Sequence, residues 1–350
     1  MIDRKSSPTR VALIGVGSIA TSYVEGFRST PGFEIAAVCS CRAESALAFA
    51  AARGLTAASL TDMLADPTID YVLNLTPAGA HAEITRTCLE AGKSVYSEKP
   101  LAATLEEADA LIALADQRRL LLACAPATVL WPPLATARRI VAEGTLGPLV
   151  GGLATLVYPG PEIFHANPAQ FYLTEAGPLK DMGVYQVAAL LALLGPVIEV
   201  LSMTSCARTQ RRVLVGPSAG ASFPVSTPTH VTALLRHANG AISTIIVSFD
   251  AIGASVPSID IFGQNAGMRI KNAHLPDATI ALQNSNDRQA VALDSPPWSP
   301  ASLAIGPVMA WAGRQAQQTK HCSAADARDV LSILLAIEKA AHKHSLTHPI

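Results

Sequence analysis

The chain has 350 residues, half of them hydrophobic and 15% charged, which favours two domains over a single core. Lys plus Arg number 26 against 27 Asp plus Glu, a net charge of -1, so no basic surplus exists to release counterions from a nucleic acid. No apolar run reaches the roughly 18 residues needed to span a bilayer. The longest, Val187 to Leu194, stops at Gly195-Pro196. The scattered cysteines form no Cys-x-x-Cys pair, and Cys39-x-Cys41 is too tight for common zinc spacing. The expectation is reduced thiols, no metal, and a cytoplasmic protein that engages neither nucleic acid nor membrane.

At the N-terminus, Arg4, Lys5 and Arg10 ahead of "VALIGVGSIA" imitate a signal peptide. The glycines inside that core have a better explanation. Val11 to Ile14 reads as a buried strand, followed by Gly15-x-Gly17-x-x-Ala20 and a helix with Ile19, Tyr23 and Phe27 at four-residue spacing. Gly15 permits a tight bend, Gly17 lets a pyrophosphate approach the backbone, and Ala20 lets helix and strand pack closely. Alone, the motif also fits a glycine turn without a ligand.

Context favours the nucleotide reading. Strand-like 33–40, 71–76, 93–98 and 120–125 alternate with helix-like 43–54, 80–92 and 104–118. That alternation predicts a doubly wound, parallel α/β sheet. Gly54 and Gly92 fall at helix ends, and Thr104 with Glu107 forms a capping box. The contacts expected from the first turn are Gly15, Val16, Gly17, Ser18 and Ile19. After the second strand stand Ser40, Cys41 and Arg42, with no carboxylate before Glu44. A hydroxyl and a guanidinium suit a 2′-phosphate, so NADP(H) is favoured and NAD(H) remains possible. Arg42 also fits a solvated helix-start residue. Asn74, Thr76, Pro77 and His81 follow the third strand and Glu98-Lys99-Pro100 the fourth, at the carboxyl ends where such sheets bind ligands. Lys99 thus points to the crevice, in a direction restricted by Pro100. His81 reads equally as a helix-start residue or a cofactor contact.

In the second half, 149–158, 198–206, 230–238, 240–250 and 258–264 read as strands, with a hairpin turn centred on Asn239-Gly240. Ala324 to His342 reads as a helix. In "KDMGVYQVAALLALLG" (180–195), Asp181 and Tyr185 share one helix face, with Gly183 between them. Asp181 equally suits a helix N-cap, and Tyr185 a core tyrosine.

Gly-x-Gly-x-x-Ala, Thr76-Pro77-x-x-x-His81, "EKPLA" (98–102) and "DMGVYQVAALLALLG" (181–195) together resemble the Gfo/Idh/MocA oxidoreductases over essentially the whole chain. "APATVLWPPLATARRIVAEGTLG" (125–147) and "TPTHV" (227–231) are similar to the family's crossover helix and a sheet strand. The resemblance implies a Rossmann domain over 1–125 and, over 126–350, an α+β domain with a large open, mostly antiparallel sheet. It implies hydride transfer between a nicotinamide and a secondary alcohol or ketone of a sugar, sugar derivative or cyclitol. It implies Lys99, Asp181 and Tyr185 as the catalytic group, with Tyr185 where many relatives carry His. A phenol of pKa about 10 is a poor base at neutral pH, and a nearby Lys99 ammonium would favour its phenolate. The same analogy makes 158–172 a substrate-side loop, with His165, Asn167 and Tyr172 joining Lys99, Asp181 and Tyr185 as substrate contacts. Lys180 departs from the family's usually apolar residue. The family is often dimeric or tetrameric through its sheet, so a homo-oligomer is expected. Two other functions stay open: an enzyme cycling a tightly bound NAD without net redox change, in the manner of a lyase or glycosidase, and a non-catalytic dinucleotide-binding regulator.

Overall fold

The computed structural model describes residues 8–174, 176–252, 257–275, 278–284, 287–291, 301–315 and 322–343. Two compact units emerge. The first reaches Trp131 and takes back a later segment ending at Leu331; the second begins at Pro132 and resumes at Ser332.

The first unit alternates β1 (Thr9–Ile14), α1 (Ser18–Arg28), β2 (Phe33–Cys39), α2 (Ala43–Ala51), α3 (Leu60–Ala65), β3 (Tyr71–Asn74), α4 (His81–Glu90), β4 (Ser94–Ser97), α5 (Leu105–Arg118) and β5 (Leu122–Cys124). The strands pair in parallel in the order β2-β1-β3-β4-β5. Residues 71–74 and 94–97 are wholly buried, as inner strands of a parallel sheet between two helical layers are. The apolar stretch Val11 to Ile14 lies in β1, with Val11 to Leu13 fully inaccessible. The capping box of α5 is present: the Thr104 hydroxyl accepts from the Glu107 N–H, and the Glu107 carboxylate accepts from the Thr104 N–H, both at 3.2 Å. Tyr23 and Phe27 of α1 are buried, but Ile19 is 36% exposed, because the first turn of α1 stands clear of the sheet. The six-residue α3 is too short for a periodic signature and is absent from the sequence reading. Its start is capped by Ser59, which accepts from the Asp62 N–H.

In the second unit follow α6 (Pro132–Ala142), β6 (Leu149–Val157), α7 (Val184–Leu194), β7 (Val197–Ser205), β8 (Gln210–Arg212), β9 (Ser222–Pro224), β10 (His230–His237), β11 (Ile242–Ser248), β12 (Ser258–Gly263), β13 (Gly267–Lys271), β14 (Thr279–Gln283) and β15 (Arg288–Val291). One sheet runs β15-β14-β13-β12-β6-β11-β10-β7, antiparallel except at the β6–β11 pair. Strands β8 and β9 form a separate ribbon. On β10, Val231, Ala233, Leu235 and His237 are buried while Leu234 and Arg236 face outward, the alternation of a sheet with one covered face. Helix α7 buries Val187, Ala189, Leu190, Leu193 and Leu194, and each fully buried Leu or Val contributes about 1.5–3 kcal/mol. Its end is marked by Gly195 at φ 85°. The hairpin differs from the expected one. Gly240 N–H donates to the His237 carbonyl at 2.9 Å, so the turn is centred on Ala238-Asn239. Gly240, at φ 89°, takes the left-handed position after it, which leaves Asn239 in ordinary backbone space.

Two later helices follow, α8 (Ala301–Gln315) and α9 (Ala324–Lys343). The family resemblance implies a second domain over all of 126–350, whereas α8 belongs to the first unit. Trp311 stacks on Tyr71 with ring centroids 4.9 Å apart, and the Tyr71 hydroxyl donates to the Pro307 carbonyl. Among the described residues, no helix is long and apolar enough to cross a membrane.

Candidate active site

The order of the first sheet puts a topological switch between β1 and β3, and the turns after these two strands face one another there. Gly15, at φ 105°, is the tight point: a methyl group on it would overlap the Leu75 carbonyl and peptide. Its N–H donates to the Cys39 carbonyl, and Leu75 N–H donates to the Ile14 carbonyl. Gly17 is the opposite case. It caps α1, and a methyl there would meet nothing within 4 Å. Val16 is half-buried, while Ser18 and Ile19 are exposed beside this opening. An open glycine at the start of an 11-residue helix offers unshielded N–H groups to a phosphate. These residues therefore fit a dinucleotide. Ser40, Cys41 and Arg42 follow β2, with Cys41 and Arg42 exposed ahead of α2.

Beyond β3, buried Asn74 ties the next turn together. Its amide donates to the His81 carbonyl and the Thr85 hydroxyl, and its carbonyl oxygen accepts from the Thr76 hydroxyl at 2.6 Å. Thr76 is half-buried and Pro77 exposed. His81 is 1% exposed. Its Nε2 lies 2.7 Å from the Thr76 carbonyl and its Nδ1 2.6 Å from the Pro100 carbonyl. Both ring nitrogens are thus engaged by backbone, and the ring braces the β3 loop against the β4 loop. This departs from His81 as a direct cofactor contact.

After β4, the backbone of Glu98 is held on three sides. Its N–H donates to the Asn74 carbonyl, and its carbonyl accepts from the Ser97 hydroxyl and the Cys124 thiol. Its carboxylate accepts from the Tyr23 hydroxyl at 2.7 Å through one oxygen and from the Lys99 N–H at 3.1 Å through the other. The side chain expected to face the cofactor is therefore engaged by protein donors. The Lys99–Pro100 peptide is cis, which the sequence does not announce. Lys99 itself is half-buried.

In the second unit, α7 is preceded by a π-helical turn, Leu179–Gly183. Asp181 lies inside that turn, its N–H donating to the Gly177 carbonyl. It is therefore not the N-cap, because the helical path already begins around Pro178. Asp181 and Tyr185 are both half-buried. Lys180 pairs with Glu338 of α9 at 3.2 Å, so its charge is answered within the fold. Tyr158 stands near Asp181: burial, then the charges of Asp181 and Glu162, hold its phenol far above the ordinary value. It stays protonated and can only donate or accept as a hydroxyl.

The 158–172 segment divides. His165 and Asn167 lie toward its surface, with the Asn167 N–H donating to His165 Nδ1 at 3.0 Å. Tyr172 is wholly buried against Phe223 and Phe249, and its hydroxyl donates to Glu162 at 2.5 Å. Its ring and hydroxyl are used inside the fold, which corrects the expectation that it meets substrate. Arg211 of β8 pairs with both Glu162 and Asp250 and donates to the Pro159 and Phe249 carbonyls. Neither this buried cluster nor the Tyr23–Glu98 contact is found by sequence reasoning, since each joins residues far apart in the chain without periodic spacing.

Fold and glycine cradle together define a dinucleotide-binding Rossmann protein with an appended sheet domain. The sequence matches the oxidoreductase family's NAD-binding Rossmann-fold model over residues 9–125 and its GFO/IDH/MocA C-terminal domain over 134–269. The chain belongs to the GFO/IDH/MocA oxidoreductase family. It is 27% identical over 344 residues to the dTDP-3,4-didehydro-2,6-dideoxy-alpha-D-glucose 3-reductase of Streptomyces violaceoruber, covering 95% of each chain. It is 32% identical over 136 residues to the scyllo-inositol 2-dehydrogenase (NADP(+)) of Bacillus subtilis, covering 39% of this chain and 38% of that one. Several curated relatives are matched over 59% of their length or less. Levoglucosan dehydrogenase, in complex with NADH and L-sorbose, shares the fold with a TM-score of 0.83 at 22% identity, over 96% of this chain and 97% of that one.

Proposed function

We propose that this protein is an NADP(H)-preferring oxidoreductase acting on a secondary alcohol or ketone of a sugar, sugar derivative or cyclitol. The observation that carries the reading is the carboxyl end of the first sheet, where an open Gly17 cradle and the braced Glu98-Lys99-Pro100 segment lie on one rim. A dinucleotide held there by its pyrophosphate would supply the nicotinamide that accepts or donates the hydride. Lys99 would hydrogen-bond the reacting oxygen and stabilise charge developing on it. Tyr185 would take or return the hydroxyl proton, with Lys99 favouring its phenolate. Asp181 would orient Lys99 or a substrate hydroxyl, and His165 and Asn167 would contact the remainder of the substrate. Half-buried Ser40 and exposed Arg42, after β2 with no carboxylate before Glu44, favour a 2′-phosphate. The expected oligomer would form between copies through the open face of the large sheet.

Titration of the purified protein with NADPH and NADH tests the cofactor reading: NADPH should bind about tenfold or more tightly, and Arg42→Ala should erase most of that difference. Scyllo-inositol and levoglucosan head the substrate panel, followed at 340 nm with NADP+. Lys99→Ala should lower kcat by about a hundredfold or more with cofactor affinity intact. Normal turnover by that variant would refute the assignment.

A further inference from the structure

We infer that Tyr23 is a positioning residue: its hydroxyl, through the Glu98 carboxylate, sets the backbone from which Lys99 projects. The inference rests on the reading of Lys99 as the group at the reacting oxygen, but its geometry stands by itself within the first unit. Tyr23 lies on α1, the helix whose first turn is the Gly17 cradle. It is 1% exposed, and its ring sits edge-on to Tyr96 of β4 with centroids 6.4 Å apart. Packing therefore fixes where the hydroxyl points. That hydroxyl donates to one Glu98 oxygen at 2.7 Å while the other oxygen accepts the Lys99 N–H at 3.1 Å.

The carboxylate is a two-oxygen bridge between a rigid helix and the amide that leads into Lys99. Without the phenol, the carboxylate's remaining hydrogen bond among the described residues is the one from the Lys99 N–H, and both side chain and amide gain freedom. The Glu98 N–H would not notice, because the Asn74 carbonyl holds it at 2.9 Å. One helix thus presents phosphate-facing N–H groups at its start and grips the Lys99 segment one turn later. The cofactor cradle and the Lys99 segment then share a single rigid body within the first unit, which is how a reacting geometry is kept within a fraction of an ångström.

Residue-resolved hydrogen exchange on the full chain tests this without any substrate. In Tyr23→Phe, the Lys99 amide should exchange about tenfold faster, the scale of one charge-assisted hydrogen bond. The adjacent Glu98 amide should keep its wild-type rate. Glu98→Gln should accelerate the Lys99 amide similarly, and adding Tyr23→Phe to it should change little more. An unchanged Lys99 amide in Tyr23→Phe overturns the inference, as do equal acceleration of both amides or additive effects in the double variant. Turnover with NADP+ and scyllo-inositol or levoglucosan separates the two readings. If Lys99→Ala is inactive and Tyr23→Phe loses kcat with KM and NADPH affinity held, both stand. If Lys99→Ala turns over normally, the role of Lys99 falls, while the exchange rates still decide the role of Tyr23.

Discussion

Gly15 and Gly17 sit two residues apart and are glycine for different reasons, so their alanine variants should fail differently. At Gly15 a methyl would collide with the Leu75 peptide, in a backbone conformation at φ 105° that side chains rarely adopt. Gly15→Ala should cost about 1–3 kcal/mol of stability, read as a lower Tm or urea midpoint. Gly17→Ala meets only open space and should leave Tm within a degree or so, yet weaken NADPH binding about tenfold or more by filling the cradle. Equal loss of stability in both would show that the cradle is not open. His237 gives the residue-scale pH dependence. It is buried, with Nδ1 on the Gly195 carbonyl at 2.7 Å and Nε2 on the Ser243 hydroxyl at 2.8 Å. Burial lowers its pKa, and the Gly195 contact only partly offsets this. The unfolded chain therefore takes up the proton first, near pH about 6.5, and stability is full above that value and falls below it. Asp66, held low by its Thr68 hydrogen bonds, and Asp109, held low by Arg328, act in a separate window, below about pH 4. Scanning calorimetry from about pH 7 down to 5 should show Tm falling, and His237→Gln should flatten that slope. An identical slope in the variant would assign the dependence elsewhere.

The ribbon β8–β9 and the 158–172 segment form one element in energetic terms, because Arg211 joins them. Its guanidinium is almost inaccessible and lies between the Glu162 and Asp250 carboxylates, with the Tyr172 ring 5.0 Å below. Replacing it by Met removes the cation that pairs both carboxylates and leaves them without that partner. Arg211→Met should therefore cost about 3–5 kcal/mol, far more than a surface pair. Proteases should also cut within 158–172 well before the rest of the chain, and cleavage spread evenly over the surface would argue against the clamp. Nothing in the sequence around Arg211 marks it, and the reason is general. Periodicity reports a residue's own element, so α1, α4, α5 and the first sheet are legible from apolar spacing, glycine stops and one capping box. The glycine cradle and the Glu98-Lys99 rim are legible because their spacing is local to single turns. Short pieces such as α3, β8 and β9 carry too few residues to establish a period. Contacts between distant segments, such as Tyr23 to Glu98 or Trp311 of α8 to Tyr71, depend on topology that no local window contains. The π-turn ahead of α7 misleads for the same reason: Asp181 looks like a cap by type, while the chain has already entered the helix.

At the scale of the molecule, the outstanding feature is the outer face of the large sheet. Leu201 and Leu234 are direct cross-strand partners, and Gly151 lies between Ile242 and Phe262 in the same register row. With Met203 opposite Thr232, these side chains are 45–72% exposed and share one face of β7, β10, β11 and β12. Glu199 and Arg236 pair beside them at 2.6 Å, so the apolar patch carries a balanced charge pair at its margin. Isolated exposed leucines are unremarkable on a monomer, but a continuous patch across neighbouring strands is not. The occupant favoured here is a second copy, whose own apolar face would cover this one across a two-fold axis. The chain should therefore sediment as a dimer or larger assembly at micromolar concentration. Leu234→Glu, placed at the centre of the patch and outside both halves of the candidate active site, should weaken association about a hundredfold, as loss of a central contact does. Its NADPH affinity should be unchanged. A wild-type protein that sediments as a monomer, or a Leu234→Glu variant that assembles as wild type does, would show that this face serves some other end.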